Sequence, residues 1–132
     1  LKKVSDQCIF TRGIDFIYLP VAHAEGKFYA SKEVLEKLHK NGQVIFKYAD
    51  EMGNLAEGKF PLNPNGSLND IAGICDPSGL IFGMMPHPER FLHFTNHPQW
   101  PFIKEKMRRA GKKINEEGDG LKIFKNAVEY FK

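Results

Sequence analysis

The sequence predicts a single α/β domain over residues 1–132. A chain of 132 residues buries roughly two-thirds of the surface that its unfolded form exposes, which is enough to build a core. Two apolar runs, at residues 14–19 and 80–82, have the length and composition of buried strands. Two amphipathic segments, at residues 33–38 and 121–131, have the spacing of helices that pack one face on a sheet.

The first strand region leads to a pair of polar side chains. Residues 1–20 read as extended chain, and the mostly apolar run 14–19 looks like an inner strand. That run ends at Pro20, so His23 and Glu25 would both project from the strand end, where open α/β sheets form their active-site crevice. The same residues are also typical of a polar surface loop. Residue types alone leave both interpretations open.

A helix, a strand and a long connection are predicted next. Ser31 is a good N-cap for a short amphipathic helix at residues 33–38, and residues 41–42, Asn-Gly, would end it. Residues 43–48 have the composition of a strand. Residues 49–70 are rich in Gly, Asn and Pro, which predicts a long connection, and long connections are often functional.

The rest of the chain is predicted to form a hairpin and two helices. Residues 71–75 and 80–85 read as strands around a turn at 76–79. Residues 102–110 have a helical pattern, and the Gly-Asp-Gly at 118–120 opens the last helix. The apolar stripe of that helix, which should pack on a sheet, consists of Leu121, Phe124, Ala127, Val128 and Phe131.

Composition limits the classes of partner. The net charge is +3, and the basic residues are dispersed apart from a cluster at 104–113, which favours solubility or attraction for phosphorylated metabolites over nucleic-acid binding. No apolar run approaches the length of a membrane span, and no signal peptide is recognisable. Two cysteines do not suggest a disulfide scaffold, so we expect a reducing, cytoplasmic setting. A start at Leu1 suits a fragment or a processed product.

One histidine stands at the end of the apolar run 80–82. The sequence there is Gly-Met-Met-Pro-His-Pro-Glu-Arg at residues 83–90, and its two prolines stiffen the turn around His87. A carboxylate bonded to one imidazole nitrogen fixes the tautomer and leaves the other nitrogen free to take a proton. His87 and Glu89 are therefore a candidate base and its orienting group. The alternative is a turn in which His87 caps a helix and Glu89 faces water.

The motif at 83–90 resembles the late motif of the glutamine amidotransferase subunit of phosphoribosylformylglycinamidine synthase, from purine biosynthesis. A bare His-Pro-Glu occurs across class I glutamine amidotransferases, whereas the preceding Met-Met-Pro and the following Arg are narrower signals. Segments 20–26, 65–73 and 118–124 resemble the same family and follow its order. The resemblance covers nearly the whole chain but only the C-terminal half of the family's domain.

This resemblance implies a fold and a set of site residues. It implies an incomplete class I amidotransferase-like sheet, flavodoxin-like and mostly parallel in the full family, with flanking helices and a β-hairpin. It implies that glutamine is the substrate, that His87 and Glu89 are catalytic, and that His23 and Glu25 lie on the substrate-binding rim of the active site. One departure is Ala24, where family members usually carry Gly. No cofactor is expected in this chain, because ATP and Mg belong to the synthetase partner in this family.

The family's nucleophilic cysteine is not recognisable. Such a cysteine needs a sharp strand-to-helix turn flanked by glycines, and neither Cys8 nor Cys75 has that setting. The chain is therefore expected to hold the base and its orienting group, to be inactive alone, and to pair with a missing N-terminal half that carries the cysteine. Further expected partners are a synthetase subunit or domain and, through exposed apolar surface, a second copy of the chain.

Two other functions compete with this interpretation. A non-catalytic assembly or interaction module derived from the same family would explain the missing cysteine and Ala24. A zinc site is the third possibility, because Glu89, His93 and His97 are spaced four residues apart and a helix would place them on one face. The intervening aromatic residues and Pro98 favour packing instead, so no metal is expected.

Overall fold

The computed structural model describes residues 1–22 and 26–132. Its sheet has four strands in the chain's own order, and each neighbouring pair is antiparallel. This confirms the α/β class for the part of the chain that is described. The strands are β1 (Lys2–Lys3), β2 (Val44–Lys47), β3 (Ile71–Cys75) and β4 (Phe82–Met84), and the helices are α1 (Lys32–Lys40), α2 (Trp100–Arg109) and α3 (Leu121–Tyr130).

Helix α1 begins and ends as the sequence predicts. The Ser31 hydroxyl accepts a hydrogen bond from the Val34 amide at 3.4 Å, which satisfies one of the unpaired donors of the first turn. The helix ends at Lys40 with Asn41 as its C-cap, and Gly42 follows with a φ of +67°, a conformation that glycine adopts without strain. The predicted helix is confirmed.

The hairpin of β3 and β4 is confirmed and lies at one end of the sheet. Its turn is organised by Asp76, whose carboxylate accepts hydrogen bonds from the amides of Leu80 and Ile81 at 3.0 and 2.9 Å. The hydrogen bond from the Ser78 hydroxyl, followed by these amide bonds, lowers the pKa of Asp76 to about 2. A side chain at Gly79 would meet the Gln7 carbonyl oxygen at 2.0 Å, so the turn also packs against the N-terminal segment.

The prediction of an inner strand at residues 14–19 is wrong. Within the described chain this segment forms one isolated bridge, between Phe16 and Lys2. Its apolar side chains Ile14, Ile17 and Leu19 are nevertheless buried in the core. Its backbone pairs with the first three residues of the chain, through Leu1 and Lys3, so burial extends beyond this short pairing. The extended conformation expected for residues 1–20 is also interrupted, by a 3₁₀ helix at Ile9–Thr11.

The connection between β2 and β3 is long, as predicted, and is built around one buried carboxylate. Asp70 is 5% exposed. It accepts hydrogen bonds from the amides of Glu57 and Gly58 at 2.7 and 2.8 Å and from the Asn63 side chain at 2.8 Å. A buried carboxylate is stable only when donors surround it in this way. Asp70 therefore fixes the path of a connection that lacks strands of its own.

The inward face of α3 differs from the predicted stripe. Ile123 and Asn126 are buried, and Asn126 Nδ2 donates to the carbonyl oxygens of Phe10 and Arg12 at 2.8 and 2.9 Å. Among the stripe residues, those more than a third exposed are Phe124, Val128 and Phe131. The prediction that this stripe packs on the sheet is therefore wrong for the described chain, because two carbonyl groups of the N-terminal segment select the face that carries Asn126.

Helix α2 forms where a helix was predicted but packs little. It begins at Trp100, with Pro101 in its first turn, where the missing amide of proline removes no helical hydrogen bond. None of its residues is buried. In the described part of the chain, no helix has the length and apolar character needed to cross a bilayer.

Candidate functional site

Strand β4 leads directly into the turn that carries the candidate histidine, hereafter the His87 turn (residues 85–91). The Met85 amide donates to the Ala72 carbonyl at 2.9 Å, so strand pairing continues one residue beyond β4. Pro86 follows and is fully buried. His87 has extended dihedral angles and precedes a 3₁₀ helix at Pro88–Arg90. The rigid prolines thus place His87 at a fixed distance from the sheet.

The His87 turn is also held from two other directions. The His87 amide donates to the Pro20 carbonyl at 2.9 Å, and the Gly120 amide donates to the Phe91 carbonyl at 2.9 Å. A Cβ atom at Gly120 would lie 2.0 Å from the Pro88 carbonyl oxygen, so only glycine allows this approach of two backbones. Hydrogen bonds from the sheet, the N-terminal segment and the start of α3 therefore fix the turn.

The two candidate catalytic side chains are in contact. His87 Nδ1 lies 2.6 Å from Glu89 Oε1, and the two side chains are 30% and 55% exposed. The hydrogen bond from His87 is the main cause that lowers the pKa of Glu89 below its usual value of 4.5. No hydrogen bond to Nε2 is found among the described residues. A proton on Nδ1, shared with the carboxylate, leaves Nε2 as the nitrogen that can take a proton.

Neither cysteine of the chain is suited to be a nucleophile. Cys8 is 1% exposed and Cys75 is 3% exposed. Burial raises the pKa of the Cys8 thiol, and burial followed by the nearby Cys8 and Asp76 raises the pKa of Cys75 to about 11. Because the thiolate is the reactive form, the burial and the raised pKa values both disfavour a reaction at either thiol.

The predicted rim residues His23 and Glu25 lie outside the described residues, as does Ala24. Their placement on the rim stays a prediction. The carbonyl of Pro20, three residues before His23, accepts the hydrogen bond from the His87 amide. The chain therefore enters this undescribed segment from a point in contact with the His87 turn.

The arrangement required for the zinc hypothesis does not form. Glu89 and His93 are not on one helix with His97, since two separate 3₁₀ helices, Pro88–Arg90 and Phe94–Asn96, occupy this stretch. The Nδ1 atom of His97 accepts the Gln99 amide at 3.0 Å. Across residues 1–22 and 26–132, no group of three or more His, Cys, Asp or Glu side chains is placed to hold a metal ion.

The structure reveals a supporting cluster behind the turn that the sequence analysis missed. The ring of His97 lies 4.8 Å from that of Tyr18 and 5.8 Å from that of Phe91, measured between centroids. The Asp119 carboxylate accepts the Tyr18 amide at 3.1 Å. The Gly-Asp-Gly at 118–120 was predicted only as a helix start. It has a second role, because Gly120 contacts the His87 turn and Asp119 binds Tyr18. These contacts join segments that are far apart in the chain, so no local pattern indicates them.

Comparisons with known proteins identify the family. A family model described as a CobB/CobQ-like glutamine amidotransferase domain matches residues 1–131. Phosphoribosylformylglycinamidine synthase subunit PurQ of Methanococcus maripaludis strain S2 is 48% identical over 132 residues, which cover 99% of this chain and 48% of the relative. The subunit PurQ of Dehalococcoides mccartyi is 50% identical over 123 residues, which cover 93% of this chain and 43% of the relative. That of Archaeoglobus fulgidus is 44% identical over 136 residues, which cover 98% and 44%.

The chain spans about half the length of the curated relatives it matches. The family match includes the motif at 83–90 and the segments that hold the His87 turn on both sides. The resemblance drawn from that motif is therefore confirmed. The chain belongs to the CobB/CobQ-like glutamine amidotransferase domain family.

Proposed function

We propose that this chain carries the histidine–glutamate part of the catalytic centre of a glutamine amidotransferase. The full assembly would supply ammonia from glutamine to phosphoribosylformylglycinamidine synthase in purine biosynthesis. The observation that carries the proposal is the 2.6 Å contact between His87 Nδ1 and Glu89 Oε1. It stands on a turn fixed by backbone hydrogen bonds, in a chain of the matching family.

In this function His87 moves protons and Glu89 keeps its ring in place. A cysteine passes its thiol proton to His87, and the resulting thiolate attacks the side-chain amide carbon of glutamine. His87 then gives that proton to the leaving nitrogen, which departs as ammonia. Water then attacks the thioester while His87 takes one of its protons, which releases glutamate and the cysteine. Glu89 accepts the hydrogen bond from Nδ1 and stabilises the imidazolium that forms in each step.

The nucleophile belongs to the missing N-terminal half in this proposal. The two cysteines of this chain are buried and have raised pKa values, which supports a nucleophile on another segment. The relatives supply room for one, because this chain covers about half of their length. His23 and Glu25 belong to the rim of the same site.

The edge of β4 supports completion of the sheet by that half. The Met85 amide donates to the Ala72 carbonyl across the β3–β4 pair. Because alternate residues of an antiparallel strand direct their N–H and C=O groups to opposite sides, those of Phe82 and Met84 point away from β3. An open edge of this kind pairs readily with another strand. The flavodoxin-like, mostly parallel sheet of the full family would continue from this edge.

The outer face of α3 supports the same interpretation. Phe124, Val128 and Phe131 are 43%, 58% and 68% exposed, and exposed apolar side chains of this size usually mark an interface. In the complete domain this face would be covered by the N-terminal half. ATP and Mg would bind on the synthetase partner, and the assembly would work in the cytoplasm.

The test is reconstitution with a segment that supplies the cysteine. The N-terminal half of the Methanococcus maripaludis relative, mixed with this chain, should restore glutamate formation from glutamine. The chain alone should show none, since its thiols are protonated and buried. Turnover by the chain alone, abolished by Cys8→Ser or Cys75→Ser, would overturn the assignment. A refolded mixture that binds without any turnover would favour the non-catalytic assembly module.

A further inference from the structure

Helix α2 has little support from the rest of the described chain. It has ten residues, none of them buried, whereas isolated helices shorter than about 12–15 residues are marginal in water. Phe102 is 68% exposed. An amphipathic helix normally gains most of its stability by packing its apolar face, and in α2 this packing is partial, since Ile103 and Met107 are only half-buried.

The exposed side of α2 has a definite shape. A groove of about 410 Å³ runs along the helix, with an apolar floor formed by Phe102, Ile103 and Met107. Lys106 and Lys112 line the same groove. Ion pairs between either lysine and another described residue are absent. The groove therefore combines an apolar floor with a cationic rim.

The charge of this region is concentrated and one-sided. Residues 99–113 hold six lysines and arginines and one glutamate, a formal charge of +5 in a chain whose total is +3. Arg108 and Arg109 are both held by Glu105 at 2.8 Å. Lys104 lies 5.9 Å from the centre of the Trp100 ring. The remaining lysines, Lys106, Lys112 and Lys113, are the charges available to a partner.

We propose that α2 is a docking helix whose groove receives an apolar side chain flanked by carboxylates, on an acidic segment of the synthetase component. The apolar side chain fills the floor at Phe102, Ile103 and Met107, and the carboxylates pair with Lys106 and Lys112. This rests on the proposed function, which supplies the partner. Opposite charges across such a contact accelerate association and fix its register.

The contact is tested with charge-reversal variants of the chain, reconstituted with the N-terminal half described above. The affinity of the reconstituted protein for the synthetase subunit of Methanococcus maripaludis is measured at 50 mM and 500 mM salt. The double variant Lys106→Glu, Lys112→Glu should bind at least about 30-fold more weakly at low salt, because it sets like charges against the acidic segment. At high salt the difference should shrink, since screening weakens exposed charge pairs.

Matched controls separate this contact from general charge effects. Lys32→Glu with Lys40→Glu makes the same change of charge on exposed positions of α1 and should leave binding unchanged. Phe102→Ala should weaken binding about 10-fold, as expected for a central aromatic anchor, whereas Phe60→Ala at another exposed site should not. Circular dichroism of each variant checks that its helices are retained.

The outcomes distinguish the two proposals. The docking helix would be overturned if the charge-reversal variants of α1 and α2 lost affinity equally, or if the α2 variants lost none. The proposed function would remain intact in either case. Failure of the unaltered chain to bind the synthetase subunit would overturn the proposed partner and the docking helix with it. Tighter α2-dependent binding to a 30-base-pair DNA duplex or to phosphatidylserine vesicles than to the synthetase subunit would also overturn the docking helix.

Discussion

The His87 turn and helix α2 are separated by fewer than ten residues, yet they are stabilised in opposite ways. Backbone hydrogen bonds to Ala72, Pro20 and Gly120 fix the turn from three sides, and Phe91 inside it is 6% exposed. Helix α2 has no buried residue and carries its charges outward. The chain therefore positions its candidate catalytic pair by itself, whereas helix α2 has no comparable support.

The contrast extends to the way charge is used. In the turn a single carboxylate is directed at one histidine nitrogen, at 2.6 Å. On α2 one carboxylate, that of Glu105, binds two arginines, and Lys106 makes no ion pair with another described residue. The hydrogen bond in the turn fixes the tautomer of His87, whereas the arrangement on α2 leaves that helix with a positively charged surface.

The largest expected difference between the two regions is in stability. Phe91→Ala should lower the free energy of unfolding by about 3–5 kcal/mol, because it empties a buried aromatic site. Phe102→Ala on α2 should change it by less than about 0.5 kcal/mol, as is usual for exposed positions. Urea denaturation of the two variants measures both values. Similar losses in the two would show that α2 is packed as tightly as the turn.

A smaller loss of folding stability is expected from a change at the contact between the start of α3 and the His87 turn. Gly120→Ala should destabilise the chain by about 1–3 kcal/mol, the usual range for overpacking, because its new Cβ would meet the Pro88 carbonyl oxygen. Gly83→Ala is the control, since a Cβ there meets no atom within 4 Å. Equal thermal unfolding of both variants would show that Gly120 does not hold the turn.

The smallest expected effects are in the titration of two glutamates. Arg108 and Arg109 hold the pKa of Glu105 at about 2, and His87 lowers that of Glu89 below 4.5. A carboxyl group with a lowered pKa stabilises the fold fully above its unfolded value of about 4.5, and that contribution is lost as the pH falls through the folded value.

Carbon-13 NMR of the side-chain carboxyl groups measures both titrations. In His87→Ala the pKa of Glu89 should return towards 4.5 while that of Glu105 stays near 2. In the double variant Arg108→Ala, Arg109→Ala the pKa of Glu105 should rise towards 4.5, while that of Glu89 should stay lowered. If the pKa of Glu89 did not move when His87 was removed, the hydrogen bond between them would not be its cause.

Local signals predicted the local elements well. Ser31 and Gly42 mark the ends of α1, and the Asp76 turn marks the hairpin. The prolines on each side of His87 indicated a constrained turn, and the side chains of His87 and Glu89 do lie within hydrogen-bonding distance. These features depend on residues a few positions apart, so the sequence itself carries them.

The errors arose where distant contacts decide the structure. The apolar composition of residues 14–19 predicted a strand, but the described segment forms one isolated bridge, next to backbone hydrogen bonds with Leu1 and Lys3. The stripe on α3 predicted an inward face, yet Asn126 turns inward because two carbonyl groups near residue 11 need donors. The close approach of Gly120 to Pro88 likewise depends on how distant segments meet.

In the proposed function His87 carries the proton in glutamine hydrolysis, and the turn holds it in position. The direct measurement compares glutamine-dependent with ammonia-dependent synthesis by the reconstituted assembly, for His87→Ala and for the neighbouring control His93→Ala. His87→Ala should lower the glutamine-dependent rate by about 10²–10⁴-fold, Glu89→Ala should lower it less, and His93→Ala should leave it unchanged. All three should retain ammonia-dependent synthesis, which needs no glutamine hydrolysis. Full glutamine-dependent turnover in His87→Ala would contradict the assignment of His87.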